Sequence, residues 1–225
     1  MGPGHSTFLF ADMAGFTALT EAHGDEHAAD TAADFCRRVR DLVAGEADVI
    51  KTIGDAVMCR SAGAGAAIEA GLAITREFAI EHGALPVRVG MHTGPAIERD
   101  GDWFGGTVNV AARVAALAAG GEVLLTEATA AAARELRGVE LRRHGIHELR
   151  NVSEPIAVLR AVSEPLGIAG DMDVDPVCRM VVDPGQAAGV LEHHGRTYRF
   201  CSLACAASFA GNPDRYSPAA QTSRS

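Results

Sequence analysis

This 225-residue sequence predicts an α+β sandwich, with helices packed on one mixed sheet. Three observations carry that reading. Apolar residues make up 48% of the chain and aromatics only 5%, which suits a core of aliphatic side chains and alanine. Strand-like and helix-like runs alternate without one long βαβ series. Around Gly54, the runs Asp48-Val49-Ile50 and Ala56-Val57-Met58 read as a tight hairpin, which requires antiparallel pairing. That hairpin carries Lys51 on its first strand and Asp55 at its tip, charges that an ordinary solvated hairpin could also show.

Taken in order, Thr7–Ala11 reads as a short buried strand ending at Asp12, followed by the small turn Met13-Ala14-Gly15-Phe16-Thr17 into a helix. A carboxylate at a strand end beside free backbone N–H groups suits a metal ion and phosphate oxygens, although an Asp here could equally cap the helix. From Asp25 to Val43, Ala28, Ala32, Phe35, Val39 and Leu42 recur at helical spacing. After the hairpin, Ile68, Leu72, Thr75 and Ala79 mark a helix over 64–80. Pro86–His92 is a strand, with His92 read as structural. Residues 100–106 are a loop by composition, and a helix runs from Thr107 to Ala118 with Gly120-Gly121 as its stop. Asn109 and Arg113 share one face of that helix at i and i+4, an arrangement that could stabilise an anionic transition state. A strand (122–125), an alanine-rich helix (126–136) and two strands (139–149 and 155–162) complete this part.

The net charge of −9 and the lack of a Lys/Arg cluster argue against nucleic acid or an anionic membrane surface as partner. No basic leader precedes Phe8, and no run is long enough to span a bilayer. The expected setting is soluble and cytoplasmic. Of five cysteines, Cys178, Cys201 and Cys205 fall in the last fifty residues. An odd, tail-weighted set suits reduced thiols or a metal site better than a disulfide framework.

Four blocks, in this order, resemble a class III adenylate/guanylate cyclase catalytic domain: Phe10-Ala11-Asp12-Met13-Ala14-Gly15-Phe16-Thr17, Lys51-Thr52-Ile53-Gly54-Asp55, Gly90-Met91-His92-Thr93-Gly94, and Asp102 through Arg113. The resemblance implies a ferredoxin-like mixed-sheet sandwich over residues 6–162. It implies two Mg²⁺ or Mn²⁺ ions per active site on Asp12 and Asp55, a triphosphate over Gly15, Phe16 and Thr17, and the transition-state pair Asn109 and Arg113. Lys51 and Asp102 fall at the base-reading positions. One donor and one acceptor match the adenine edge, whereas guanine presents the opposite pair, so ATP is the expected substrate and GTP use is less expected. Arg150 falls where the family usually has a triphosphate-binding lysine. In this family one site draws on two subunits, which implies a head-to-tail homodimer with two shared sites. The alternative is a catalytically silent nucleotide-binding or dimerisation module with a metal-sensing tail.

Residues 163–172 read as a linker and 218–225 as a disordered tail. Between them, Asp175-Pro176-Val177-Cys178-Arg179-Met180, Gly195 through Cys205, Phe209 and Asn212 through Tyr216 resemble a YHS domain over 173–217. Its expected form is a small treble-clef-like module. Cys201 and Cys205 at i and i+4 would share a helix face, and Cys178 could close a three-thiolate set for Zn²⁺ or Cu⁺, with His193 or His194 as a fourth ligand. Buried packing thiols are the plainer reading. A regulatory role for the tail is expected from the fusion of the two modules.

Overall fold

The computed structural model describes residues 5–134, 136–163 and 172–217. The first module opens with β1 (His5–Met13), α1 (Phe16–His23), α2 (Asp25–Leu42), the hairpin β2 (Asp48–Ile53) and β3 (Ala56–Ser61), α3 (Ala64–Ala79) and β4 (Val87–Pro95). It continues through β5 (Ile97–Arg99), β6 (Asp102–Phe104), α4 (Gly106–Leu117), β7 (Val123–Thr126), α5 (Glu127–Ala132), β8 (Val139–His147) and β9 (Ile156–Ser163). Seven strands form one sheet in the order β2-β3-β1-β4-β7-β9-β8, with β4 and β7 parallel and all other neighbours antiparallel. The run β2-β3-β1-β4 is the ferredoxin-like order.

Alternation along β1 divides the core between the two faces of the sheet. Leu9, Ala11 and Met13 pack with Phe35, Val39, Ile68 and Ile74 of α2 and α3, while Phe8 and Phe10 pack with Met58, Ala111 and Ala115 on the α4 side. Gly90 is what lets α4 lie flat on β4, since a Cβ there would collide with the helix backbone at Val114 and Ala115.

Two expectations need correction. Residues 100–106 were expected to form a loop, but β5 and β6 pair there as a hairpin, with Asp100 at φ 52° and Gly101 at φ 78° in its turn. Asp-Gly accepts positive φ at both central positions of a tight hairpin turn, and strands this short leave little alternation to read. The helix expected to reach Leu136 stops at Ala132.

The tail consists of β10 (Asp173–Val174) paired with β11 (Val181–Val182), the hairpin β12 (Gly189–His193) and β13 (Arg196–Phe200), then α6 (Leu203–Gly211) and α7 (Pro213–Tyr216). It docks on the first module through backbone pairing: Val181 N–H donates to Ala84 O (2.7 Å) and Gly83 N–H to Val181 O (2.8 Å). Asp183 N–H donates to His82 Nδ1 at 3.2 Å. Val177, Met180, Phe200 and Phe209 extend the main core without a break. Most of the expected linker, residues 164–171, and the terminal segment 218–225 lie outside the described residues. No helix among the described residues is long and apolar enough to cross a membrane.

Candidate functional site

Asp12 stands near the end of β1, opposite Ala56 of β3 and Arg88 of β4, and by alternation on the face of Phe8 and Phe10. Asp55 occupies the β2–β3 turn, which is pinned to β1 because Met13 N–H donates to the Asp55 carbonyl at 3.3 Å. Partial burial, and behind it the negative charge of Asp12, raise the Asp55 carboxyl above the usual range. Arg88 Nε donates to Asp12 Oδ2 at 2.6 Å, so a guanidinium holds the carboxylate where a cation is expected. Two neighbouring carboxylates offering only oxygen donors fit Mg²⁺ or Mn²⁺. Next to them, Gly15 adopts φ 105° and starts α1, whose first-turn N–H groups have no partners within the helix. Thr17 and Phe16 lie in that first turn.

Lys51 is aimed by a bulge. The register shifts between Val49 and Lys51, leaving Ile50 as the extra residue, so Lys51 pairs with Met58 and shares its face. There Lys51 Nζ meets Asp102 Oδ2 of β6 at 2.5 Å. This bond, together with the Trp103 N–H at 2.8 Å, holds the Asp102 carboxyl below its ordinary range. Trp103 is itself anchored against Phe8, with ring centroids 5.5 Å apart, and under the Arg60 guanidinium at 4.5 Å. On α4, Asn109 is exposed and Arg113 half-buried, one turn apart as the spacing predicts. Among the described residues, Arg113 has no carboxylate within ion-pair reach. Arg150 is exposed in the turn after β8, and its neighbours Leu149 and Val152 pack against Val110 and Val114 of α4. The loop therefore sits against the helix that carries Asn109 and Arg113.

His92 is half-buried, with Nδ1 2.7 Å from Thr126 Oγ1, in keeping with a structural role. Arg88 was not singled out by the sequence. A single arginine in a strand of alternating residues carries no mark that sets it apart from a solvated one.

In the tail, Asp175 is fully buried and ties two loops together. It accepts from Val177 N–H (2.8 Å) and Cys178 N–H (3.4 Å) through one oxygen and from Cys201 N–H (2.8 Å) through the other. Cys201 precedes α6 rather than sharing its face with Cys205. Ser202 caps the helix by accepting from Cys205 N–H at 3.2 Å, and that turn brings the two sulfurs to 3.8 Å. Cys178 Sγ lies 3.4 Å from Cys201 Sγ. The fourth group facing these thiols is His23 of α1, whose Nε2 is 3.7 Å from both Cys201 and Cys205. His193 and His194, expected as fourth ligands, instead gather around Asp214, because β12 ends with them on the far side of the hairpin from the cysteines. Sequence reasoning had no means of finding His23, since no spacing rule links it to cysteines so far downstream.

The adenylate and guanylate cyclase catalytic domain model matches residues 4–158, and the YHS domain model matches 174–220. The chain is 34% identical over 157 residues to the pH-sensitive adenylate cyclase MT1302 of Mycobacterium tuberculosis, covering 68% of this chain and 40% of that protein. It is 36% identical over 137 residues to an adenylate cyclase of Streptomyces griseus, covering 60% of this chain and 32% of the relative. It thus spans well under half the length of these relatives. Among solved structures, an adenylate cyclase of Trypanosoma brucei in its monomeric state superposes with a TM-score of 0.66 at 25% identity, covering 73% of this chain and 90% of that one. An adenylate/guanylate cyclase/hydrolase from Silicibacter pomeroyi gives 0.63 at 26% identity, covering 71% and 97%.

Proposed function

We propose that this chain, which belongs to the adenylate and guanylate cyclase catalytic domain family, converts ATP to 3′,5′-cyclic AMP and pyrophosphate. The observation that carries the choice of base is the direct Lys51–Asp102 contact at 2.5 Å. It presents one donor and one acceptor together, the complement of adenine N1 and its 6-amino group. In the same pose guanine reverses the order of donor and acceptor along that edge, so each group would face a like partner, at about 1–3 kcal/mol each. Relatives named adenylate cyclase support the same choice.

In this reading the ribose 3′-oxygen attacks the α-phosphorus, the bond to the bridging oxygen of the β-phosphate breaks, and the hydroxyl proton leaves to solvent. Asp12 and Asp55 would hold Mg²⁺ or Mn²⁺, which supplies Lewis acidity at the 3′-oxygen and offsets triphosphate charge. Backbone N–H groups at Gly15, Phe16 and Thr17 receive phosphate oxygens. Asn109 orients the ribose, Arg113 neutralises charge at the phosphorus under attack, and Arg150 adds a cation for the triphosphate. Lys51 and Asp55 stand four residues apart on one hairpin but serve the base and the metal ions, respectively. The complete site therefore takes the carboxylates of one copy and the Lys51, Asp102, Asn109 and Arg113 group of another, in a head-to-tail homodimer. Exposed Ile53 and Phe104 beside these residues suit such a contact. The module boundaries follow as 6–162 and 173–217. Free thiols and an ATP substrate support a cytoplasmic setting.

The test is incubation with ATP or GTP in Mn²⁺ or Mg²⁺, with both cyclic nucleotides quantified. Cyclic AMP should dominate. Absence of product, or an excess of cyclic GMP, overturns the reading.

A further inference from the structure

We propose that His23, Cys178, Cys201 and Cys205 form one tetrahedral Zn²⁺ site that clamps the tail onto the first module, with the fourth ligand supplied by α1. All four ligand atoms lie within 4.8 Å of one another. A tetrahedral Zn²⁺, with bonds of about 2.3 Å to sulfur and about 2.0 Å to nitrogen, separates its sulfurs by about 3.8 Å and sulfur from nitrogen by about 3.6 Å. The observed sulfur pairs are 3.4 and 3.8 Å apart, and both measured sulfur–nitrogen distances are 3.7 Å. Three thiols and an imidazole form a soft set that favours Zn²⁺ over Mg²⁺. Asp175 is no competitor for the ion, because both of its oxygens are engaged by backbone N–H groups. It fixes the two loops that aim Cys178 and Cys201. A disulfide needs sulfurs about 2.05 Å apart and would leave the third thiol and His23 without a role.

The clamp acts on the helix next to the carboxylates. At the start of α1 the tail's Arg179 packs so closely on Gly15 that a Cβ there would collide with its side chain. At the end of α1, His23 enters the ion site. The tail thus holds both ends of the helix that presents the Gly15–Thr17 N–H groups, and the ion secures one of them. Its occupancy does not depend on the nucleotide chemistry.

The experiment uses the full chain, kept in a thiol-free reductant and titrated with Co²⁺ and then Zn²⁺. The expected result is one Co²⁺ per chain with the intense visible bands of a tetrahedral thiolate site, displaced by Zn²⁺. His23→Ala should weaken Zn²⁺ binding by about tenfold or more. Zn²⁺ should slow amide exchange across Phe16–His23 in the parent protein but not in that variant. If His23→Ala fails to fold, His23→Cys decides, because exchanging nitrogen for sulfur must shift the Co²⁺ bands. No metal uptake by the reduced protein, or an unshifted His23→Cys spectrum, overturns the proposal.

Discussion

The two modules hold their polar groups in place by different means. In the first, a seven-stranded sheet whose central strands are buried supplies fixed strand ends and turns, and Asp12, Asp55 and Lys51 stand on them at little structural cost. Among the described residues the tail has only two-stranded sheets beside its short helices, and little interior of its own. Its geometry depends on one buried carboxylate, on backbone pairing to Gly83 and Ala84, on the His82 imidazole and on contact with α1. Small modules commonly need such staples. The difference teaches that losing a polar group should cost function in the first module and structure in the second.

The sharpest test of that contrast is Asp55→Ala. Removing a half-buried carboxylate that sits against Asp12 relieves an unfavourable charge, so the unfolding midpoint should hold or rise. Cyclase activity should fall about a thousandfold or more. Mixing this variant with Arg113→Ala should restore part of the activity through hybrid dimers that assemble one intact site. Activity that stays absent in the mixture would argue against shared sites.

A packing change in the first module should behave oppositely. Gly90→Ala drives a methyl into the backbone of α4 at Val114 and Ala115. Overpacking against a backbone that cannot yield should cost about 3 kcal/mol or more, and activity should be lost with the fold. Asp175→Ala is the counterpart in the tail. It removes the acceptor of the Val177, Cys178 and Cys201 N–H groups, at about 1–3 kcal/mol for each that water cannot reach. The one tryptophan, Trp103, reports the first module, while both tyrosines, Tyr198 and Tyr216, lie in the tail. The tyrosine-monitored transition should therefore drop while the tryptophan transition stays nearly in place. A matched fall in both would show the modules unfolding as one unit and would erase the contrast.

The same contrast governs what the sequence discloses. The positions of Asp12, Asp55 and Asn109/Arg113 were legible because local pattern fixes them: a strand end, a hairpin tip, one helix face; the roles proposed for them came from the family resemblance. The Lys51–Asp102 contact was only half legible, since it depends on a bulge at Ile50 and on the β5–β6 hairpin, neither of which has a periodic signature. Arg88, the ion-pair partner of Asp12, looks like any strand arginine until the sheet order brings β4 beside β1. In the tail the cysteines were visible, but their geometry was not. Cys201 lies outside the helix that i,i+4 spacing implied, and its histidine neighbour is 178 residues away. Contacts of that range come from docking, which no local rule encodes.

The smallest expected effect concerns acid stability in the first module. Burial lowers the pKa of His92, whose Nδ1 faces Thr126 within a chain of hydroxyls joining Thr126, Thr129, Thr93 and Thr7. The unfolded chain binds that proton near its ordinary pKa of about 6.5, so on acidification it takes up the proton before the folded state does. The resulting stability is complete above that value and is lost as pH falls through the folded pKa, with a slope of at most about 1.4 kcal/mol per pH unit. Urea unfolding followed by Trp103 fluorescence between about pH 7 and 5 should show the loss, and His92→Gln should flatten it. The raised Asp55 carboxyl is the same in the parent and in His92→Gln, so the difference between the two acid limbs isolates the imidazole. An acid limb of equal slope in the variant would mean that His92 is not its source and that the first module, too, depends on polar groups its packing does not reveal.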